Sequence, residues 1–168
     1  MSNIIYRPAE MSDLPEISGL VSSAVLEMEK IGIHQWDELY PTAEDFSEDI
    51  SVGDQYVGTV EDRIAVIYSL NRSCDDEYKN GSWQYPNEPF AVIHRLCVSP
   101  GFQHKGIAAK TVSHIENELQ KQGISVIRLD VFTENPYALR LYEKLGFKKT
   151  RTVKWRKGDF FLMEKYIG

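Results

Sequence analysis

Residues 96–108 have the sequence Leu96-Cys97-Val98-Ser99-Pro100-Gly101-Phe102-Gln103-His104-Lys105-Gly106-Ile107-Ala108. The apolar residues that open this stretch are typical of the end of a buried strand, the Pro-Gly pair breaks the strand, and a helix is predicted from about Lys105 to Gln122. The first N–H groups of a helix have no intrahelical partner and lie at the positive end of its dipole. Because Gly106 carries no Cβ, a phosphate or pyrophosphate could approach the backbone closely here. A simple turn glycine is the alternative interpretation.

Two better-known phosphate motifs fit this stretch poorly. A Walker loop requires Gly-Lys followed by Ser or Thr, whereas the chain has Lys105-Gly106-Ile107. A dinucleotide fingerprint requires three glycines, and only Gly106 is present, although Asp130 ends the next predicted strand at a suitable distance. A dinucleotide-binding enzyme that prefers NAD is therefore a weaker alternative.

The hydrophobic pattern on both sides of this stretch predicts strands and helices in the order β-α-α-β-β-β-α-β-α-β-β. The predicted strands are Asn3–Arg7, Gln55–Glu61, Arg63–Leu70, Phe90–Val98, Ile124–Val131, Phe147–Trp155 and Asp159–Tyr166. The predicted helices run from Ser12 or Asp13 to Ile31, from Thr42 towards Ile50, from Lys105 to Gln122 and from Asn135 to Leu145. The strand–helix–strand order predicts one parallel pair, and two hairpins, turning near residues 61–62 and 157–158, predict antiparallel neighbours. We therefore expect an α/β (mixed α+β) fold with helices on both faces of a mixed sheet.

Composition limits the class of protein. The 168 residues, 42% of them hydrophobic, predict a single domain over residues 1–168. No apolar run approaches the ~20 residues that cross a bilayer, and the N-terminus lacks the apolar segment of a secretory signal. The net charge of −6 argues against nucleic-acid binding and weakly favours cationic substrates. Cys74 and Cys97 have no CxxC partner or His pair at metal spacing, so we expect no metal, free thiols and a cytoplasmic location.

Residues 71–89 form a polar segment that is unusually long for a connection within one domain, and such loops are often functional or mobile. The segment carries the carboxylates and aromatic rings of Asp75, Asp76, Glu77, Tyr78, Trp83 and Tyr85. This combination suits an organic cation. A solvated charged loop with a few anchoring aromatic residues is the alternative.

A second informative stretch is Asn135-Pro136-Tyr137-Ala138-Leu139-Arg140-Leu141-Tyr142-Glu143-Lys144-Leu145-Gly146-Phe147. Asn135 is an N-cap candidate, Pro136 suits the first helical position and Gly146 suits the position after the helix. Tyr142 lies on this predicted helix. A phenol, with an ordinary pKa near 10, can protonate a departing thiolate, whose ordinary pKa is about 8.5. An aromatic packing residue is the alternative role for Tyr142.

Together, the two stretches resemble the GCN5-related N-acetyltransferase (GNAT) superfamily. The resemblance rests on Gln-x-x-Gly-x-Ala after Val-x-Pro, followed at this separation by Asn-x-x-Ala-x-x-x-Tyr-x-x-x-Gly-Phe. The opening Tyr6-Arg7-Pro8-Ala9 and Asp13-Leu14-Pro15 look like that family's first strand and helix, and residues 127–131 look like its fifth strand. The resemblance covers most of the chain and implies a GNAT-like, mostly antiparallel central sheet of about seven strands.

In this family, acetyl-coenzyme A lies in a V-shaped gap between the fourth and fifth strands. The resemblance implies that backbone groups of Leu96, Cys97 and Val98 pair with the pantetheine arm. It implies that the pyrophosphate is held by backbone N–H groups of Gln103, His104, Lys105, Gly106, Ile107 and Ala108. Many members of the family carry a glycine at the position of Ala108. Asn135 would bind the pantetheine, and Tyr142 would be the general acid that protonates the coenzyme A thiolate.

The implied reaction is direct transfer of the acetyl group to an amine through a tetrahedral intermediate, which a strand N–H would stabilise. Some members use a Glu on the fourth strand as the base, but Phe90–Val98 contains no acid. His94 is the candidate base there, since imidazole titrates near neutral pH, and a structural histidine paired with Asp130 is the alternative. Glu27 and Glu29 on the first helix are lesser candidates.

The resemblance also implies an acceptor pocket lined by the first two helices and the last hairpin, with Trp36, Tyr40 and Trp155 as its residues. The acceptor could be a small-molecule or peptide amine, and the sequence leaves its identity open. We expect no nucleic-acid or membrane partner, and a homodimer is consistent with similar proteins.

A non-catalytic module that binds acyl-coenzyme A as a sensor or subunit is the alternative function. The missing strand-four acid favours this alternative, and Tyr142 with the intact 103–108 turn disfavours it.

Overall fold

The strands and helices come from a computed structural model that describes residues 3–72, 76–79 and 81–168. The strands are β1 Ile5–Pro8, β2 Gln55–Val60, β3 Arg63–Asn71, β4 Phe90–Val98, β5 Val126–Phe132, β6 Lys148–Trp155 and β7 Gly158–Tyr166. The helices are α1 Leu14–Lys30, α2 Ala43–Val52, α3 Asp76–Lys79, α4 Ile107–Lys121 and α5 Pro136–Lys144. Cys74 and Asp75, which the sequence analysis named, lie outside the described residues. Among the described residues, no helix combines the length and apolar character needed to cross a membrane.

The strand order is β1-β2-β3-β4-β5-β7-β6. β4 and β5 are parallel over Phe90–Val92 and Val126–Arg128, whereas β1–β2, β2–β3, β5–β7 and β6–β7 are antiparallel. The predicted mixed, mostly antiparallel sheet with one parallel pair is thereby confirmed.

The chain divides into two compact units, which are described separately. The first unit contains the residues up to Leu70 together with Arg95–Thr111, and the second contains Asn71–His94 with Val112–Gly168. The single domain expected over residues 1–168 stays a prediction.

The core of the first unit forms because α1 and α2 each carry apolar residues on one side. These residues pack with side chains of β2 and β3 in a cluster of Ala9, Ile17, Leu20, Val21, Ala24, Trp36, Phe46, Ile50, Val57, Ile64, Ile67 and Cys97. Full burial of one large apolar side chain contributes roughly 1.5–3 kcal/mol. The first helix was predicted to run to Ile31, but α1 ends at Lys30, and Ile31 follows it as an exposed residue.

The two helices of this unit begin in different ways. α2 begins as predicted: Thr42 Oγ1 accepts from the Asp45 N–H at 3.3 Å, and the Asp45 carboxylate accepts from the Thr42 N–H at 2.7 Å. At α1, Asp13 occupies the N-cap position but makes no side-chain cap bond. Its carboxylate instead accepts two hydrogen bonds from the Arg7 guanidinium, at 2.7 and 2.9 Å, and one from the Glu10 N–H at 2.7 Å.

This arrangement predicts a pH dependence of stability. Hydrogen bonding from Arg7 is the main cause that lowers the pKa of Asp13 from its ordinary value. The ion pair therefore stabilises the folded state above the unfolded-state pKa of about 3.9, and this contribution is lost as pH falls through the lower folded-state pKa. We expect Asp13→Asn to reduce the free energy of unfolding by about 1 kcal/mol at pH 7, since the pair is partly exposed. Urea unfolding at pH 7 and pH 3 measures this.

Glu118→Gln is the control for Asp13→Asn, because Glu118 forms an exposed pair with Lys121 one helical turn away. Its effect should be no more than a few tenths of a kcal/mol at either pH. A difference between Asp13→Asn and the unmodified chain that is as large at pH 3 as at pH 7 would contradict the assigned sign.

The second unit corrects one predicted turn. The hairpin of β6 and β7 turns at residues 156–157, and Gly158 pairs with Trp155 as the first residue of β7. Gly158 has φ +139°, and a Cβ there would lie 3.1 Å from Cε1 of Phe132. The glycine is therefore needed inside the strand rather than in the turn itself.

The segment expected to be a loop over residues 71–89 contains the short helix α3 and is anchored to the second unit. Tyr78 is 2% exposed and donates a hydrogen bond from its hydroxyl to Asp130 Oδ2 at 2.6 Å. The indole of Trp83 donates to the carbonyl of Tyr78. Tyr78 and Trp83 are therefore anchoring aromatic residues of this segment, and a contact of the segment with substrate stays a prediction.

Arg128 of β5 provides a second anchor for this segment. Its guanidinium lies between the rings of Trp83 and Phe90, at 4.4 and 4.2 Å from their centroids, and donates to the Tyr85 carbonyl at 3.0 Å. It also pairs with Glu164 at 3.3 Å, and both side chains are almost fully buried. The other carboxylate oxygen of Glu164 accepts from the Gln84 N–H at 2.8 Å. A buried ion pair thus joins the segment to β5 and β7.

Candidate functional site

The turn after β4 lies in the first unit, and its backbone is held in place on both sides. The Ser99 N–H donates to the Ala65 carbonyl at 2.8 Å, and the Phe102 N–H donates to the Ser99 carbonyl at 2.8 Å. These bonds close the short 3-10 turn Pro100–Phe102. Beyond it, the backbone of His104 and Gly106 has φ of +63° and +74°, and α4 begins at Ile107.

The backbone N–H groups from His104 to Ala109 are the main feature of this turn. Within the part of the chain that the structure describes, none of these six donors has a protein acceptor; the next N–H, of Lys110, donates to the Gly106 carbonyl. The residues from Gln103 to Gly106 are exposed. A side chain at position 106 would have room, because a Cβ built on Gly106 meets no atom within 4 Å. The positive φ of Gly106 is therefore the reason why a glycine is favoured at this position. Such a row of donors at a helix N-terminus suits an anion.

The start of α4 is fixed by packing and by hydrogen bonds. Ile107 is buried in a cluster with Val60, Ala65 and Val66, against which Phe102 also packs. One turn further, Thr111 Oγ1 donates to the Ile107 carbonyl at 2.8 Å and contacts the Tyr6 hydroxyl at 3.0 Å. The start of α4 is therefore held in place by contacts within the protein itself.

The side chains of Leu96, Cys97 and Val98 alternate between two clusters. Cys97 is buried with residues of α1 and α2, while Leu96 and Val98 pack against the Ile107 cluster. Burial raises the pKa of the Cys97 thiol to about 12. The ladder between β4 and β5 ends at Val92, so it does not use the peptide groups of these three residues.

The residue before this segment, Arg95, departs from strand geometry with φ +51°. Its guanidinium donates to the Tyr40 hydroxyl at 2.9 Å and pairs with Asp49 of α2. It also lies over the rings of Tyr40 and Phe46, at 5.7 and 5.5 Å from their centroids. Nothing in the sequence indicated these contacts, because they join residues about 50 positions apart.

His94 and Asp130 lie in the second unit, each with a partner that the sequence did not indicate. His94 Nε2 lies 3.0 Å from Asn71 Oδ1, and Asp130 accepts from the Tyr78 hydroxyl as described above. The sequence suggested Asp130 as the partner of His94. The structure adds Asn71, at the end of β3, to the surroundings of the imidazole.

Asn135 and Tyr142 lie at the two ends of α5. Asn135 caps the helix as predicted, since its Oδ1 accepts from the Ala138 N–H at 3.1 Å. The amide oxygen can accept a second hydrogen bond and the amide NH2 group is a donor, so either type of group suits a role towards pantetheine. Tyr142 is 8% exposed and packs edge-on against Phe147, with the ring centroids 5.5 Å apart.

The three expected acceptor residues have different environments. Trp36 belongs to the buried core of the first unit, so its side chain serves packing there. Tyr40, in the same unit, is 40% exposed and accepts from Arg95. Trp155, in the second unit, stacks on Tyr78 with interplanar angle 6° and centroids 6.3 Å apart. Within the described ranges, no group of three or more His, Cys, Asp or Glu side chains is placed to hold a metal ion.

Comparison with known proteins identifies the class of this fold. The model of the acetyltransferase (GNAT) family matches residues 20–147, and the chain belongs to this family. An acetyltransferase of the GNAT family from Streptococcus agalactiae superposes with a TM-score of 0.86 at 23% identity over 97% of this chain and 95% of that one. The PaiA N-acetyltransferase from Thermoplasma acidophilum, solved with coenzyme A, gives 0.71 at 20% identity over 98% and 99%.

The sequence match to one enzyme of stated acceptor covers part of the chain. Over 59 residues it is 34% identical to the ribosomal protein bS18-alanine N-acetyltransferase of Escherichia coli K12. The match covers 35% of this chain and 40% of that enzyme, so the chain spans less than half the length of this relative. The similarity therefore agrees with the family without defining the acceptor.

Proposed function

We propose that this protein is an acetyl-coenzyme A-dependent N-acetyltransferase that transfers acetyl to a primary amine. The observation that carries the proposal is the row of N–H donors from His104 to Ala109, which lack protein acceptors within the described residues. A pyrophosphate supplies several acceptor oxygens and negative charge, and both match this end of a helix. Family membership and the coenzyme A complex of a protein with the same fold support the same ligand.

In the proposed reaction, the neutral amine nitrogen attacks the thioester carbonyl carbon. A C–N bond forms, and a backbone N–H near the end of β4 stabilises the negative oxygen of the tetrahedral intermediate. The C–S bond then breaks, and the coenzyme A thiolate takes a proton from the Tyr142 hydroxyl. Backbone groups of Leu96, Cys97 and Val98 and the amide of Asn135 would bind the pantetheine. No metal takes part in these steps.

The amine must lose a proton before or during attack, and we propose His94 as the base. Its imidazole is oriented by Asn71 at 3.0 Å, as expected for a positioned proton acceptor. The acceptor is a small-molecule or peptide amine, and the partial similarity to the bS18-alanine enzyme supports a peptide α-amine. The expected pocket residues Trp36, Tyr40 and Trp155 stay in the proposal. A cytoplasmic location, a homodimer and the absence of nucleic-acid and membrane partners stay predictions.

Replacing His94 tests its assignment. We expect His94→Gln to lower kcat about 100-fold with KM for acetyl-coenzyme A unchanged, because general-base catalysis is lost and the coenzyme site is untouched. His34→Gln, on an exposed histidine of the first unit, is the control and should leave kcat unchanged. Full activity of His94→Gln would contradict the assignment and leave the lesser candidates Glu27 and Glu29, tested by Glu27→Gln and Glu29→Gln.

The non-catalytic acyl-coenzyme A-binding module is the second candidate, favoured by the lack of an acid on β4. Calorimetric titration with acetyl-coenzyme A, with NAD as control, tests the cofactor site first. Binding of acetyl-coenzyme A alone supports both candidates, and a thiol-release screen of amines then separates them by turnover. A chain that binds neither compound would overturn both, and a preference for NAD would favour the dinucleotide alternative.

A further inference from the structure

Two cations of the first unit lie over a single aromatic ring next to the 103–108 turn. The Arg63 guanidinium lies 5.1 Å from the centroid of the Phe102 ring, and the Lys105 ammonium lies 5.5 Å from the same centroid. Lys105 belongs to the turn itself. Arg63 comes from the start of β3, about 40 positions earlier in the chain, and was not indicated by the sequence.

Neither cation has a carboxylate partner among the residues that the structure describes. Among the described residues, Arg63 and Lys105 form no ion pair, although the chain carries a net charge of −6 and Glu61 and Asp62 form the hairpin turn beside Arg63. Two like charges over one ring repel each other, and an anion bound beside them would relieve that repulsion. The contact with Phe102 also limits the freedom of the guanidinium, which lowers the entropic cost of binding a ligand.

We propose that Arg63 binds the ribose 3′-phosphate of coenzyme A and makes the protein discriminate coenzyme A from 3′-dephospho-coenzyme A. This inference rests on the proposed function, in which the 103–108 turn holds the pyrophosphate. Coenzyme A carries two separate anionic groups, the pyrophosphate and the 3′-phosphate. The 103–108 turn, with Lys105, binds the pyrophosphate. Arg63 begins β3 and contacts the same Phe102 ring as Lys105, and it binds the 3′-phosphate.

The contact with the Phe102 ring also explains why an arginine suits position 63. A guanidinium presents a planar set of donors that matches phosphate oxygens and stacks on a ring at the same time. Because Arg63 is exposed, its ion pair with a phosphate is partly screened, and we expect a moderate contribution. A threefold to tenfold effect on the dissociation constant is of the order expected for such a contact.

The test compares two ligands and two arginine variants by calorimetry. The unmodified protein should bind coenzyme A about three to ten times more tightly than 3′-dephospho-coenzyme A. Arg63→Gln should weaken binding of coenzyme A by this factor, leave binding of dephospho-coenzyme A unchanged and abolish the preference. Arg72→Gln is the matched control, since Arg72 is an exposed arginine 5.6 Å from the Phe90 ring in the second unit; it should change neither affinity.

The outcomes separate this inference from the proposed function. If the unmodified protein binds neither form of coenzyme A, the proposed function fails. If it binds both, but Arg63→Gln weakens both equally or neither, the assignment of Arg63 to the 3′-phosphate is wrong while the cofactor site stands. Thermal unfolding of each variant shows whether a loss of binding reflects loss of the fold.

Discussion

Tyr142→Phe should lower kcat for acetyl transfer by about 100-fold or more while leaving the dissociation constant of acetyl-coenzyme A within about twofold. The substitution removes only the hydroxyl that would protonate the departing thiolate, and general acid catalysis typically contributes 10²–10⁴-fold. The ring that packs edge-on against Phe147 is kept, so the helix should stay in place. Steady-state thiol release gives kcat, and calorimetry gives the dissociation constant.

Tyr137→Phe is the matched control, because Tyr137 lies on the same helix and is 60% exposed. It should leave both kcat and binding unchanged. If Tyr142→Phe keeps full turnover, Tyr142 is a packing residue and another group or water protonates the thiolate. If it loses binding and turnover together, its role is in holding the coenzyme.

The largest effect on stability is expected at Arg128. Arg128→Met should lower the free energy of unfolding by about 3–5 kcal/mol, because it leaves the buried carboxylate of Glu164 without its cation. For a chain of this length, such a loss corresponds to a fall in Tm of roughly 6–20 °C. Calorimetric or denaturant unfolding measures the change. Limited proteolysis should also show earlier cleavage within residues 81–89, which Arg128 anchors through Tyr85 and Trp83.

Two controls distinguish the destabilisation caused by an unpaired buried charge from the destabilisation caused by loss of side-chain volume. Lys121→Met breaks an exposed ion pair with Glu118 and should change stability by less than about 1 kcal/mol. The double variant Arg128→Met with Glu164→Leu removes both buried charges and should recover much of the lost stability. A double variant that is less stable than Arg128→Met alone would show that the hydrogen bonds of Glu164 outweigh its buried charge.

Local sequence signals predicted much of this fold. The Thr42-x-x-Asp45 capping box, the Asn135-Pro136 helix start and the hydrophobic alternation of the strands each act over a few residues, and each is confirmed. Where a tertiary contact competes with the local signal, the prediction fails. Asp13 pairs with Arg7 and makes no cap bond to α1, and Gly158 lies inside β7, where a Cβ would come within 3.1 Å of the Phe132 ring.

The sequence predicted the backbone conformation of the candidate site but not the partners of its side chains. The turn of residues 103–108 has a local signature of a glycine at a helix start after a broken strand. The partners of its side chains come from distant parts of the chain: Arg63 reaches Phe102, and Asn71 reaches His94. Trp36 packs in the core of the first unit with neighbours that are also distant in the sequence, and its place in the acceptor pocket stays a prediction.

The burial of Cys97 has a practical consequence for every thiol-release assay described above. Disulfide reagents react with thiolates, and a buried thiol with a pKa of about 12 is almost entirely protonated and shielded at assay pH. In a Cys74→Ser variant, Cys97 is the single remaining thiol of the chain. In an assay of coenzyme A release, that variant contributes little signal from protein thiols. Without substrate, slow reaction of the reagent with Cys97 measures how often local opening of the first unit exposes this thiol.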